Sequence, residues 1–195
     1  MRLGLYGGSF DPVHLGHLLV AMAACEELEL DRVFFIPAAQ SPFKPGQQPA
    51  SSADRIRLLR LALSGGTRYE VDEQEIARGG ISYTIDTVRD YAARFPEARL
   101  HYLIGADHVP TLPKWREAET LAGLVEFLVI PRPGETPGTL PPPFQLRVLN
   151  GFPVKISSSQ IRQRIRQGLA IEPLVPSAVA EAIRNYRLYL EDRSG

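Results

Sequence analysis

The segment from Gly7 to His17 constrains the fold more than any other part of the chain. It reads GGSFDPVHLGH and joins a short apolar run, Leu3 to Tyr6, to residues with helical spacing that begin at Leu15. The apolar run predicts a strand that stops at the two glycines, and glycines let a backbone come close to a ligand because they carry no Cβ. A helix that begins after such a turn offers unpaired N–H groups and the positive end of its dipole. The segment therefore predicts a strand, a tight turn and a helix, with an anion site at the turn.

Two histidines give this turn its chemical character. His14 and His17 are three residues apart, so they share one face if both are helical, and Gly16 between them leaves space for a ligand against the turn. An imidazole can donate a hydrogen bond to a phosphate oxygen whether it is neutral or protonated. Neither the GxxxxGK[ST] nor the GxGxxG phosphate motif is present. A zinc site is disfavoured because Asp11 is the only other residue near the two histidines that could bind zinc. We therefore predict no metal site formed by the protein itself.

Strands and helices alternate along the rest of the chain. The apolar patterns predict strands at 3–6, 33–36, 100–104 and 127–130, and helices at 15–28, from about 53, at 85–95, 158–167 and 179–190. This order indicates a Rossmann-like, doubly wound parallel sheet of the α/β class, with helices on both faces. The length fits one domain, 1–195, whose C-terminal part from about 156 is helical, and the Pro- and Gly-rich stretch 131–143 reads as a loop within it. Ligands bind such sheets beyond the carboxyl ends of the strands.

A second anion site is predicted near the C-terminus, where residues 156–162 read ISSSQIR and open a late helix. Serine N–H and hydroxyl groups at a helix start can hold an anion, and Arg162 lies one turn further along. Its guanidinium can fork onto phosphate oxygens. The alternative is a capped amphipathic helix whose arginines lie on a solvated face, and for Arg162 both interpretations stay open.

Composition excludes several partners. Lysines and arginines number 22, as do the acids, so no global field favours long nucleic acid or an anionic membrane. No apolar run approaches the roughly 20 residues of a membrane helix. The single cysteine, Cys25, falls on an apolar helical stripe, and the N-terminus shows no signal-peptide pattern. We therefore expect a cytoplasmic protein.

The motifs together resemble those of one family. Residues 7–17 closely resemble the GGSFDPVHxGH signature of bacterial nicotinate-mononucleotide adenylyltransferases, members of the HxGH nucleotidylyltransferase superfamily. Residues 156–162 resemble the family's ISSTxIR, 82–87 its SYTxDT, and Gly105 to Asp107 followed by Trp115 its GxD…W block. Glu75 and Arg78, which precede residues 82–87, also fit the family's pattern. One departure is Phe43, which stands where the family often has a histidine before Lys44.

The resemblance implies a Rossmann-like enzyme that transfers AMP from ATP to nicotinate mononucleotide, forming deamido-NAD and pyrophosphate, with Mg²⁺ carried on the ATP. It leaves a homo-oligomer open. It assigns catalysis to His14, His17 and Arg162. The implied ATP site comprises Gly8, Ser9, Phe10, His14, His17, Gly105, Asp107, Arg132, Ser158 and Arg162. The implied mononucleotide site comprises Gly8, Ser9, Lys44, Thr84 and Trp115.

Other functions remain as alternatives. Phosphopantetheine adenylyltransferases and cytidylyltransferases share HxGH but fit less well, because SYTIDT and Trp115 look specific to the pyridine branch. A fragment of a class I aminoacyl-tRNA synthetase is disfavoured by the neutral charge. A nucleotide-binding regulator without turnover is a different class, and it would release no pyrophosphate when a mononucleotide is added.

Overall fold

Six parallel strands form one sheet in the computed structural model, which describes residues 1–42, 49–131, 138–152 and 154–190. The strands are β1 (Arg2–Gly8), β2 (Arg32–Pro37), β3 (Tyr69–Val71), β4 (Arg99–Gly105), β5 (Val125–Ile130) and β6 (Leu146–Val148). Their order across the sheet is β3-β2-β1-β4-β5-β6, and all five pairings are parallel. The prediction of a Rossmann-like parallel sheet is confirmed.

Helices cover both faces of the sheet. They are α1 (Leu15–Leu28), α2 (Ser52–Leu63), α3 (Gln74–Arg78), α4 (Thr84–Arg94), α5 (Ala118–Leu124), α6 (Ser158–Arg166), α7 (Ser177–Asn185) and a 3₁₀ helix, Ala106–Lys114. Helices α1, α2, α6 and α7 share one buried apolar cluster with the sheet, whereas α4, α5 and the 3₁₀ helix share another on the opposite face. The predicted C-terminal helical segment therefore packs onto the same face as α1 and α2.

The strand order reverses between β1 and β4. Leu3 and Leu5 face one apolar cluster and Tyr6 faces the other, as the two-residue period of a strand requires. The chain winds outward from β1 through β2 to β3, and then crosses back to β4 on the other side. Such a switch point opens a crevice at the carboxyl ends of the central strands. Here those ends are Gly8 and Gly105.

Some elements differ from the sequence prediction. The patterns missed β3, β6, α3, α5 and the 3₁₀ helix, and the last helix ends at Asn185 rather than near 190. In the stretch 131–143, the described residues 138–143 contain no helix or strand, as expected of a loop. Within the described ranges, every helix is too short or too polar to span a membrane.

Candidate active site

The two sequence motifs meet at the carboxyl end of β1. Residues 9–14, the phosphate loop, connect β1 to α1, and the start of α6 packs against them. The Ser158 hydroxyl donates to the carbonyl of Pro12 at 2.8 Å, and the Nη1 atom of Arg162 donates to the carbonyl of Asp11 at 2.6 Å. The interpretation of Arg162 as a merely solvated residue is therefore wrong. A guanidinium has further N–H groups that can donate to a phosphate. The predicted contact of Arg162 with a phosphate stays a prediction.

A buried arginine holds the other end of the phosphate loop. Arg55 in α2 is 1% exposed, and its Nη1 atom donates to the carbonyl of Ser9 at 2.8 Å while its Nε donates to the carbonyl of Ala50 at 3.2 Å. Burial lowers the pKa of Arg55, yet a guanidinium stays protonated in proteins. Three carbonyls of the loop are thus bound by protein donors. Because these donors bind the carbonyl oxygens, the partial negative charge of the oxygens repels an anion at the loop less strongly.

The carboxylate of Asp11 lies beneath the loop in the same cluster. Its Oδ1 atom accepts hydrogen bonds from the Tyr189 hydroxyl at 2.9 Å and from the backbone N–H of Ala50 at 3.1 Å. Its Oδ2 atom lies 3.6 Å from Nη1 of Arg162. Two guanidinium groups, Arg55 and Arg162, face this one carboxylate, so these three side chains carry a net charge of one positive. A positive potential beneath the loop favours a bound phosphate.

The two histidines lie where the phosphate loop becomes α1. Their rings stack with centroids 3.7 Å apart and an angle of 23° between planes. The backbone N–H of His14 donates to Nδ1 of His17 at 3.2 Å, so a neutral His17 carries its proton on Nε2. Burial lowers the pKa of His14 to about 4, which keeps that ring neutral near pH 7. His14 has extended backbone just before α1, so ring stacking, rather than a shared helical face, pairs the two residues.

Gly16 makes room for the imidazole of His14. A Cβ atom at this position would lie 3.0 Å from Nδ1 and 3.1 Å from Cε1 of His14. The space that a side chain would need at this position is thus taken by His14, and the predicted approach of a ligand to the turn stays a prediction. Packing against the first histidine therefore accounts for the glycine of HxGH.

Phe10 turns the phosphate loop and anchors it in the core. Its backbone is left-handed, with φ of 46°, and its side chain is 1% exposed. The ring contacts Tyr6 and His17, with centroids 5.5 Å and 5.0 Å away. A left-handed non-glycine residue is strained, and burial of the ring offsets that strain. Only the main chain of Phe10 can therefore contribute to the predicted ATP site.

Tyr102 in β4 is a central residue that sequence reasoning missed. Its hydroxyl lies 3.4 Å from Oγ1 of Thr84, and its ring packs edge-to-face on Trp115 at 6.4 Å. A Cβ atom on Gly7 would lie only 2.3 Å from the same hydroxyl oxygen. Burial raises the pKa of Tyr102, so the phenol stays protonated. The predicted acceptor residues Thr84 and Trp115 are thus brought together beside the glycine turn.

A buried carboxylate holds the Ser82–Thr84 segment in place. Glu75 is 4% exposed; it accepts a hydrogen bond from Oγ1 of Thr87 at 2.6 Å and is hydrogen-bonded to Ser82. The Ser82 hydroxyl in turn accepts from the backbone N–H of Ala39 at 2.9 Å, just after β2. Burial raises the pKa of Glu75 and outweighs the hydrogen bonds that lower it. Glu75 therefore links α3 and α4 to the chain that follows β2.

The remaining predicted residues lie at the other side of the switch point or outside the described ranges. Gly105 ends β4, and Asp107 is exposed in the first turn of the 3₁₀ helix. Their predicted contacts with a ribose stay predictions. Lys44 and Arg132, as well as Phe43, lie outside the described residues. Within the described ranges, no three His, Cys, Asp or Glu side chains are grouped to hold a metal ion.

Comparison with known proteins shows which family the chain belongs to. A family model described as cytidylyltransferase-like matches residues 5–164. A protein of Gemmatimonas aurantiaca named "Probable nicotinate-nucleotide adenylyltransferase" is 44% identical over 98% of this chain and 93% of its own length. A protein of the same name from Opitutus terrae is 40% identical over 97% of this chain and 98% of its own length. The chain belongs to the nicotinate-nucleotide adenylyltransferase family.

Solved structures agree with this family in fold. The nicotinic acid mononucleotide adenylyltransferase of Plasmodium falciparum complexed with NaAD matches with a TM-score of 0.78 and covers 96% of this chain and 97% of its own. The same enzyme complexed with APC matches with a TM-score of 0.77. Identity to both is 17%, so these matches speak for the fold of the adenylyltransferase and not for individual residues.

Proposed function

We propose that the protein transfers AMP from ATP to nicotinate mononucleotide, forming deamido-NAD and pyrophosphate. This is the activity for which its family is named. The observation that carries the proposal is the junction of the phosphate loop with α6. There, protein donors bind three loop carbonyls, a net positive charge lies beneath the loop, and two stacked histidines flank it.

The triphosphate of ATP would lie over the phosphate loop. In this proposal the main chain of Gly8, Ser9 and Phe10 lines the site, and His17 faces the reacting α-phosphate with its Nε2–H group. Ser158 and Arg162 hold the outer phosphates. Gly105 and Asp107 hold the ribose hydroxyls across the switch point, and Arg132 flanks the adenine.

The acceptor would lie against the surface formed around Tyr102. Trp115 would stack on the pyridine ring, Thr84 would bind its carboxylate, and Lys44 would bind nearby. A carboxylate accepts hydrogen bonds only, whereas a carboxamide turns its own NH₂ toward some of the donors. One mismatched buried donor costs about 1–3 kcal/mol, so nicotinate mononucleotide should be favoured over the nicotinamide form by about tenfold or more.

The chemistry needs no general base. The nucleophile is an oxygen of the mononucleotide phosphate, whose second pKa is about 6, so it is largely ionised near neutral pH. Catalysis then consists of alignment and of stabilising the charge that develops on the α-phosphate and on pyrophosphate. The neutral His14 ring adds no charge beside His17, whose Nδ1 accepts the backbone N–H of His14 and whose Nε2–H is the proposed donor to the phosphate.

Nucleotidyltransferases of this family generally use a divalent metal ion with ATP. We propose Mg²⁺, held by the phosphate oxygens and by waters, since this ion is commonly bound through substrate phosphates with few protein ligands. When bound, the ion would neutralise charge on the departing pyrophosphate.

A pyrophosphate-release assay with a panel of substrates tests the proposal. ATP or CTP is the donor, and nicotinate mononucleotide, nicotinamide mononucleotide or phosphopantetheine is the acceptor. We expect rapid release only with ATP and nicotinate mononucleotide, and slower release with the nicotinamide form. Faster turnover with phosphopantetheine or with CTP would move the protein to another branch of the superfamily.

A further inference from the structure

The chain after α7 returns to the phosphate loop. Arg187 and Tyr189 have left-handed backbones, with φ of 51° and 65°, although neither is glycine. Such strain persists only where the surrounding structure enforces it, and it is often found at functional sites. Tyr189 also lies beyond residue 164, where the match to the family model ends. The segment is therefore outside the part that the family model matches, although the relatives match 97–98% of this chain.

The hydroxyl of Tyr189 donates a hydrogen bond to the Asp11 carboxylate under the phosphate loop. It donates to Oδ1 of Asp11 at 2.9 Å, and the backbone N–H of Ala50 donates to the same oxygen at 3.1 Å. Burial and the charge of Asp11 both raise the pKa of Tyr189, so the hydroxyl keeps its proton. One oxygen atom thus joins three segments that are far apart in sequence.

We propose that Tyr189 is a positioning residue for nucleotidyl transfer, acting through Asp11 on the phosphate loop and on Arg162. The inference rests on the proposed function, since it assigns the loop and Arg162 to ATP. It makes the C-terminal segment part of the catalytic framework, although no residue of that segment need contact the substrate.

Competition for Arg162 explains how the hydroxyl acts. Nη1 of Arg162 lies 2.6 Å from the carbonyl oxygen of Asp11 and 3.6 Å from Oδ2 of the same residue. A carboxylate that loses the Tyr189 donor has one hydrogen bond fewer and turns toward Arg162, whose Nη1 atom is 3.6 Å from Oδ2. Charge-assisted bonds are stronger than neutral ones, so Arg162 would leave the loop carbonyl for the carboxylate. The loop and the guanidinium would then both lose their alignment with the triphosphate.

The test compares Tyr189→Phe with the matched control Tyr186→Phe. Tyr186 is 55% exposed and packs under Arg57 one turn earlier, so its hydroxyl reaches nothing in the site. Both variants are assayed at 25 °C with ATP and nicotinate mononucleotide, after thermal melts have shown that they are folded at that temperature. We expect kcat of Tyr189→Phe to fall by about tenfold, equivalent to about 1.4 kcal/mol, and the KM of the mononucleotide to stay within about twofold. The control should keep kcat within about twofold.

A second variant separates positioning from a purely structural role. Asp11→Asn removes the carboxylate charge that would draw Arg162 away, while its amide oxygen can still accept both hydrogen bonds. In the Asp11→Asn background, Tyr189→Phe should therefore change kcat by no more than about twofold, because the competition for Arg162 is gone. If Tyr189→Phe alone does not fold, the comparison in the Asp11→Asn background decides, and a further tenfold loss of kcat there overturns the inference. A lower melting temperature with unchanged kcat in Tyr189→Phe, or multiplied losses in the double variant, also overturns it. Those results leave the proposed function intact, whereas absent turnover in the wild type overturns both.

Discussion

Replacing Gly7 with alanine tests the packing at the base of the proposed acceptor site. The added Cβ would lie 2.3 Å from the hydroxyl oxygen of Tyr102 and 3.3 Å from its Cζ. Ordinary contacts between carbon atoms are about 3.5–4.0 Å, so the hydroxyl must move by roughly 1 Å. The ring cannot swing aside because Tyr102 is buried between Trp115 and Phe127. Overpacking of this kind costs about 1–3 kcal/mol.

The hydroxyl also bonds Thr84, which adds to the cost when it is displaced. A net contribution of about 1 kcal/mol for one hydrogen bond brings the expected loss in Gly7→Ala to about 2–4 kcal/mol. Tyr102→Phe should lose about 1 kcal/mol by itself. In the double variant the closest atom to the new Cβ becomes Cζ at 3.3 Å, a tight but tolerable contact. The double variant should therefore be at least about 1 kcal/mol more stable than the sum of the single losses predicts.

Urea unfolding of the wild type, both single variants and the double variant measures these free energies. Gly123→Ala is the matched control, since it lies in α5 with nothing within 4 Å of the added Cβ. Alanine is the better helix former, so the control should gain about 0.5–1 kcal/mol. A Gly7→Ala variant as stable as the wild type, or strictly additive losses in the double variant, would refute the explanation of Gly7 by contact with Tyr102.

Four further predictions concern the site. His17→Ala should lower kcat by at least about 100-fold in a folded protein, because one transition-state donor is lost, and near-normal turnover would contradict its role. Trp115→Ala should raise the KM of the mononucleotide by about tenfold and leave that of ATP within about twofold; a defect confined to ATP would place the pyridine ring elsewhere. Glu75→Gln turns an amide NH₂ toward hydroxyl donors, so the KM of the mononucleotide should rise several-fold while that of ATP holds, and equal changes in both would indicate general loss of structure. His14 has its pKa lowered to about 4 in the folded protein, below the roughly 6.5 of an unfolded chain, so stability is fully present above 6.5 and falls as the pH drops towards 4. Unfolding measured over that range with His14→Asn as the control should show a flatter pH dependence in the variant, and an unchanged slope would contradict the assignment.

The central elements could be predicted because local chemistry marks them. The apolar run before Gly7 and the helical spacing after His14 define β1 and α1, and Gly168 marks the end of α6. The edge strands β3 and β6 have three residues each and are half exposed, so they show no apolar run. The 3₁₀ helix contains Pro110 and Pro113, which argue against a helix in the sequence. These elements form because the sheet and its flanking helices provide partners for them.

The motif residues of the site were likewise visible, but the residues that hold them were not. Tyr102 and Tyr189 act through contacts with segments distant in sequence, and a single sequence does not show such contacts. Arg55 did leave a signal. It lies three and four residues before Leu58 and Leu59, both fully buried, so it stands on the apolar stripe of its own helix. A charged residue at such a position needs buried partners, and here these are the carbonyls of Ser9 and Ala50.

The most direct test of the central claim is a single-turnover experiment with ATP labelled in its α-phosphate and enzyme in excess. If the residues around the phosphate loop only align two substrates, pyrophosphate should form solely when nicotinate mononucleotide is present. The label should then pass entirely into deamido-NAD, and none should remain on the protein. Pyrophosphate released without the mononucleotide, with label retained on the protein, would show a nucleotidylated enzyme and contradict direct transfer.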